Sequence, residues 1–106
     1  MSPQNPDDGI TFINRFTVHT SPEEFEQEFA KVAAVMAEQP GFIGHTLLKH
    51  AEEPGTYVNV AYWASADALR QAASTSDFQR HVRALRELST TEPAIYKACQ
   101  RTGGTP

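Results

Sequence analysis

Two asparagines and a tryptophan are the residues of this chain whose types and spacing could do chemistry. Asn59 stands inside "YVNVAYW", Tyr57–Trp63, where the other six side chains are apolar or aromatic. Asn14 stands inside a second short run, "TFINRFTV", two residues from Phe12 and from Phe16. Both stretches read as strands, in which side chains alternate between two faces. Asn59 and Trp63 therefore share one face, and Val58, Val60 and Tyr62 the other; Asn14 shares its face with Phe12 and Phe16. If helices cover that face, two amides and an indole N–H look into one enclosed, mostly apolar space. A buried amide without a partner costs about 1–3 kcal/mol. Two answers are open. The amides hydrogen-bond each other, the backbone or a buried water. Alternatively they are the few converging polar groups of an apolar small-molecule pocket.

The rest of the chain narrows the chemistry. It has no dinucleotide or P-loop glycine pattern, since Gly103-Gly104 belongs to the tail. His19, His45, His50 and His81 lack ligand spacing and Cys99 stands alone, so no metal site is expected. The seven serines and threonines from Ser65 to Thr91 read mostly as caps and turns, and no nucleophile is identifiable. Catalysis would then rest on substrate reactivity, pocket hydrogen bonds and one acid–base group. His81, three residues from Phe78 and four from Leu85, can reach the border of the inward face; a partly exposed structural histidine is the alternative. Surface positions are the default for His45 and His50, and an inter-subunit ion pair is the plain reading of Arg15.

The elements that must position these residues follow from periodicity. Strand one runs over Thr11–Val18. In "SPEE", Ser21 can cap a helix, Pro22 suits its first position and Glu24 completes a capping box. Phe25, Phe29, Val32 and Met36 form that helix's apolar stripe, and "QPG" at Gln39–Gly41 ends it. Strand two covers Phe42–His50, "EEPG" at Glu52–Gly55 is turn chemistry, and strand three covers Tyr57–Ala64. A short helix starts from Ser65. A longer one starts near Thr75 with Phe78, Val82, Leu85 and Leu88 as its stripe, and "TEP" at Thr91–Pro93 ends it before a fourth strand over Ala94–Arg101. The order β-α-β-β-α-β predicts an α+β, ferredoxin-like domain, a four-stranded antiparallel sheet with helices on one face. The expected organisation is a flexible arm at 1–10, a single domain at 11–101 and a flexible tail at 102–106.

The other sheet face would show Ile13, Val58, Val60 and Tyr62, which is too apolar for water. A second copy stacked sheet on sheet would cover it, so a homodimer is expected. The 106 residues fit one core, and the net charge of −4 with no Lys/Arg cluster argues against nucleic acid. No apolar run approaches membrane-spanning length, and "MSPQNPDDGI" lacks the parts of a signal peptide. A cytoplasmic protein is expected.

Taken together, "INRFTV", "QPGFIGHTLL", "YVNVAYWAS" and "FQRHVRAL" resemble the antibiotic biosynthesis monooxygenase family over roughly Phe12 to Gln100. The pairing of "NRFTV" with "VNVAYW" is more specific. It is similar to the cofactor-independent anthrone oxygenases of aromatic polyketide biosynthesis, the nogalamycin-type anthracycline group. That resemblance implies a dimeric α/β barrel, no cofactor, and catalytic residues at Asn14, Asn59 and Trp63. It implies oxidation of an anthrone to a quinone by O2 through the substrate's own enolate. Phe12, Phe16, Phe29, Met36, His81 and Leu85 are the expected substrate-binding walls. Haem-degrading members of the superfamily are the rival. They share the strand-one asparagine and place a haem-ligating histidine where His81 stands, but their second-helix tryptophan falls at about Ala72 here. A non-catalytic polyketide binder or a cyclase would use the same pocket.

Overall fold

The computed structural model describes residues 9–104. Seven elements follow in the order β1 (Ile10–Val18), α1 (Pro22–Ala37), β2 (Phe42–Lys49), β3 (Thr56–Trp63), α2 (Ala66–Ala73), α3 (Ser76–Leu88) and β4 (Ser89–Tyr96). The strands form one antiparallel sheet in the order β2-β3-β1-β4, the predicted ferredoxin-like arrangement. Most of the expected arm, 1–8, lies outside the described residues, as do 105–106 of the expected tail. Ile10, expected in the arm, instead opens β1, where it is buried opposite Trp63.

Helix boundaries follow the local chemistry. The Ser21 hydroxyl accepts from the Glu24 backbone N–H at 3.2 Å, and Pro22 sits in the first turn. Only half of the expected capping box is made. The Glu24 carboxylate accepts from the Thr20 hydroxyl at 2.6 Å rather than reaching back to the Ser21 backbone. Ser65 and Thr75 cap α2 and α3 as expected. Gly41 adopts φ +85°, and a Cβ there would come within 2.6 Å of Ala68 Cβ. Only glycine lets β2 begin this close beneath α2.

The fourth strand differs from expectation. It starts at Ser89, directly after α3, and ends at Tyr96, while 97–101 have no regular structure. "TEP" is therefore inside the strand and not before it. A proline removes one backbone donor, which would break a central strand. β4 pairs only with β1 and is an edge, where that loss is tolerated. Arg15 also differs: it lies opposite Glu92 in the register and approaches that carboxylate at 4.0 Å within the same chain, with both side chains exposed.

The core lies between the sheet and the helices. Phe16, Phe25, Phe29, Val32, Met36, Tyr57, Ala61, Trp63, Leu69 and Leu85 are among its buried members. The opposite face carries Ile13, Val58 and Val60, half-buried, with Leu48 and Tyr62 about half exposed.

Candidate functional site

Between the helix layer and the sheet lies a cavity of about 340 Å³. Its floor comes from three strands: Phe12, Asn14 and Phe16 of β1, Asn59 of β3, and Thr91, Pro93 and Ile95 of β4. Phe29, Val32 and Met36 of α1, Leu69 of α2, and Phe78, Val82 and Leu85 of α3 make the walls. These walls are apolar because each helix turns its stripe inward. Ala73 of α2 and the two cationic residues Arg70 and Arg86 complete the lining, and both arginines are exposed at their helices.

The strand register brings the amides together. Asn14 lies directly opposite Asn59, and Pro93 flanks Asn14 on the other side. Directly paired residues hold their Cβ atoms about 4.5–5.5 Å apart, so the two amides stand side by side. They do not hydrogen-bond each other. Asn59 is 3% exposed, and its Oδ1 lies 3.0 Å from His45 Nδ1. Asn14 Oδ1 is buried with no hydrogen-bond partner among the described residues. Trp63 is fully buried, and its Nε1–H also has no partner among the described residues.

Seven of the nine expected site residues line the cavity: Phe12, Asn14, Phe16, Phe29, Met36, Asn59 and Leu85. Trp63 is not in the lining; it lies two rungs beyond Asn59 on the same face, its ring edge-on to Phe42 at 5.1 Å. His81 is not in the lining either. Its side chain is partly exposed on α3, with Nε2 at 3.8 Å from Asp77 of the previous turn.

His45 departs most from expectation. It is half-buried inside the helix-side face, not at the surface, with Phe29 and Phe42 at ring distances of 5.6 and 6.2 Å. His45 faces inward by the regular alternation of β2, two residues before Leu47, and an irregularity at the start of the strand lets Phe42 face inward as well. Phe42 pairs with Trp63 and Gly44 with Tyr62, so Ile43 is an extra residue, and alternation resumes with His45 opposite Ala61. Counting back by twos from Leu47, opposite Asn59, is the sequence signal that finds His45.

The family profile of the antibiotic biosynthesis monooxygenases matches residues 9–84. The chain belongs to the antibiotic biosynthesis monooxygenase family. It is 50% identical over 93 residues to the deoxynogalonate monooxygenase of Streptomyces nogalater, which spans 88% of this chain and 79% of that protein. Among solved structures it is similar to SnoaB, a cofactor-independent oxygenase from Streptomyces nogalater, with a TM-score of 0.86 and 49% identity over 89% of this chain and 96% of that one. A putative antibiotic biosynthesis monooxygenase from Caulobacter crescentus is 26% identical, with a TM-score of 0.75 over 91% and 92% of the two chains. Within this monooxygenase family, the cavity is the place to look for chemistry. Among the described residues, no group of three or more His, Cys, Asp or Glu side chains could hold a metal ion. No helix there is long and apolar enough to cross a membrane.

Proposed function

We propose that this protein is a cofactor-independent oxygenase that converts an anthrone-type aromatic polyketide to the corresponding quinone. The observation that carries the reading is the pair of facing amides. They sit at the floor of an apolar cavity of small-molecule size and are not spent on each other. Half identity to a deoxynogalonate monooxygenase supports the same class of substrate.

Ground-state O2 is a triplet and does not react directly with a closed-shell molecule. An anthrone deprotonated at its central CH2 is an electron-rich enolate that can pass one electron to O2. The radical and superoxide then combine into a C–O bond, giving a peroxide anion that takes up a proton. Loss of water from the C–H hydroperoxide leaves the ketone. One CH2 and one O2 thus become one C=O and one H2O, and the substrate supplies all the electrons. The protein's task is to favour the enolate and hold it dry. Asn59 and Asn14 would donate to the enolate oxygen, each well-placed donor being worth about 3–4 kcal/mol at a developing oxyanion. Trp63 would act from behind this rung, through its unpartnered indole N–H or by supporting the floor.

Oxygen uptake by metal-free protein with a simple anthrone such as dithranol tests the reading. Consumption of one O2 per quinone formed, above the spontaneous rate, is expected; a rate equal to that of the buffer would overturn it. The haem alternative loses ground because His81 does not line the cavity. Added haemin that was bound and then degraded with a reductant would reinstate it.

The same proposal includes a homodimer. The apolar outer face, with Val58, Val60 and the exposed Tyr62 and Leu48, supports sheet-on-sheet association. Light scattering at micromolar concentration should give twice the chain mass, and a monomer would contradict it.

A further inference from the structure

We infer that His45 is a positioning residue: it fixes which end of the Asn59 amide faces the cavity, an inference that rests on the oxygenase reading of that amide. An amide can be turned end for end. One end presents two donors and the other only an acceptor. An enolate is stabilised by the first and repelled by the second. Nothing in the apolar walls chooses between them, and Asn14 makes no hydrogen bond to Asn59. Among the described residues, the one polar side chain bonded to Asn59 is His45, whose Nδ1 lies 3.0 Å from Asn59 Oδ1. For that contact to be a hydrogen bond, Nδ1 must carry the proton and donate to Oδ1. The Nδ2 donors are then left for the cavity that Asn59 lines.

The surroundings hold the imidazole in this pose. Its Cα is opposite Ala61, so only a methyl group lies beneath the ring, and the ring can lean along the sheet toward Asn59 on the diagonal. Phe29 and Phe42 approach the ring at tilts of 42° and 44°. Asn59 is itself 3% exposed, so bulk water has little access to compete for Oδ1. Regular alternation back from Leu47, opposite Asn59, turns His45 inward, and the extra residue Ile43 brings Phe42 to the same face beside it.

Two measurements test this together. In protein labelled with 15N-histidine, the His45 resonances should show the proton on Nδ1 without any substrate; a neutral ring protonated on Nε2 would overturn the inference, and this arm is decisive even if dithranol is not oxidised. In oxygen-uptake kinetics with dithranol, His45→Leu should lower kcat about tenfold with KM changed less than twofold, a smaller loss than deleting the amide donor itself. His45→Asn, whose side-chain N–H occupies the place of Nδ1–H, should recover most of the rate. His45→Gln, whose N–H occupies the place of Nε2–H, should not. In an Asn59→Ala background, His45→Leu should cost nothing further. The same factor in both backgrounds, or equal rates for the Asn and Gln variants, would show that His45 acts independently of Asn59 and would overturn the inference. Thermal melts on each variant keep folding losses apart from losses of turnover.

Discussion

Two adjacent rungs of the same sheet face behave in opposite ways. Phe16 pairs with Tyr57, and one step along Asn14 pairs with Asn59. The first rung is packed by aromatic rings, although Phe16 also borders the cavity. Phe25 packs on Phe16 and Tyr57 with ring centroids 5.1 and 4.8 Å away, and Phe29 joins at 5.8 and 6.2 Å from Phe16 and Phe25. Its one polar group, the Tyr57 hydroxyl, donates to Glu26 at 2.6 Å. The second rung is open. Its amides face a cavity, and Asn14 Oδ1 has no partner. α1 covers both rungs with aromatic and aliphatic side chains, so the difference lies in the strand residues and in what the helices leave unfilled. A packed rung holds the fold together, whereas an open one with unspent hydrogen bonds is equipped to hold something else.

Substitutions on the two rungs should therefore fail in different assays. The largest effect belongs to the packed one. Phe25→Ala removes a fully buried ring and should cost about 3–5 kcal/mol of stability, read as a large drop in Tm. Any protein that remains folded should keep most of its turnover. At the open rung, Asn59→Ala should lower kcat/KM roughly 100-fold while Tm changes little. Asn59→Asp should lower it further, because a carboxylate of similar size replaces the donor with an anion that repels the enolate. Equal rates for folded wild type, Asn59→Ala and Asn59→Asp would erase the distinction between the rungs.

The smallest effect concerns Tyr57. Burial first, then the hydrogen bond and charge of Glu26, push its pKa from 10.0 up to about 12. The neutral phenol is thus favoured by folding. Its contribution is fully present below pH 10 and is lost as pH rises through 12, because the unfolded chain gives up this proton first. Tyr57→Phe should cost about 1 kcal/mol at neutral pH and should flatten the decline in stability between pH 10 and 12, measured by urea melts of both proteins. A decline of the same steepness in the variant would assign it to other groups.

Much of this was legible in one dimension. The two-residue period placed Asn14, Asn59 and Trp63 on the helix side, and the stripes Phe25–Met36 and Phe78–Leu85 identified the helices that cover them. Ser21, Ser65 and Thr75 marked where those helices begin. These features are legible because they depend on neighbours within a turn or a strand. The misplacements share the opposite cause. Pro93 reads as a breaker until β4 is known to be an edge. His45 reads as surface until Leu47 is known to lie opposite Asn59, because alternation back from Leu47 then turns it inward, and the extra residue Ile43 reverses only what precedes it. Arg15 finds Glu92 only through the β1–β4 register.

The sequence by itself determined the element order, the antiparallel sheet, the apolar inward face and the presence of two amides on it. Those follow from local periodicity and from the cost of burying polar groups. Only the tertiary structure decided that the amides are neighbours, that they do not satisfy each other, that one is bonded to His45 and that a cavity lies above them. Each of these depends on cross-strand register and on the space left when three helices pack over a sheet, and both arise from contacts between residues far apart in the chain.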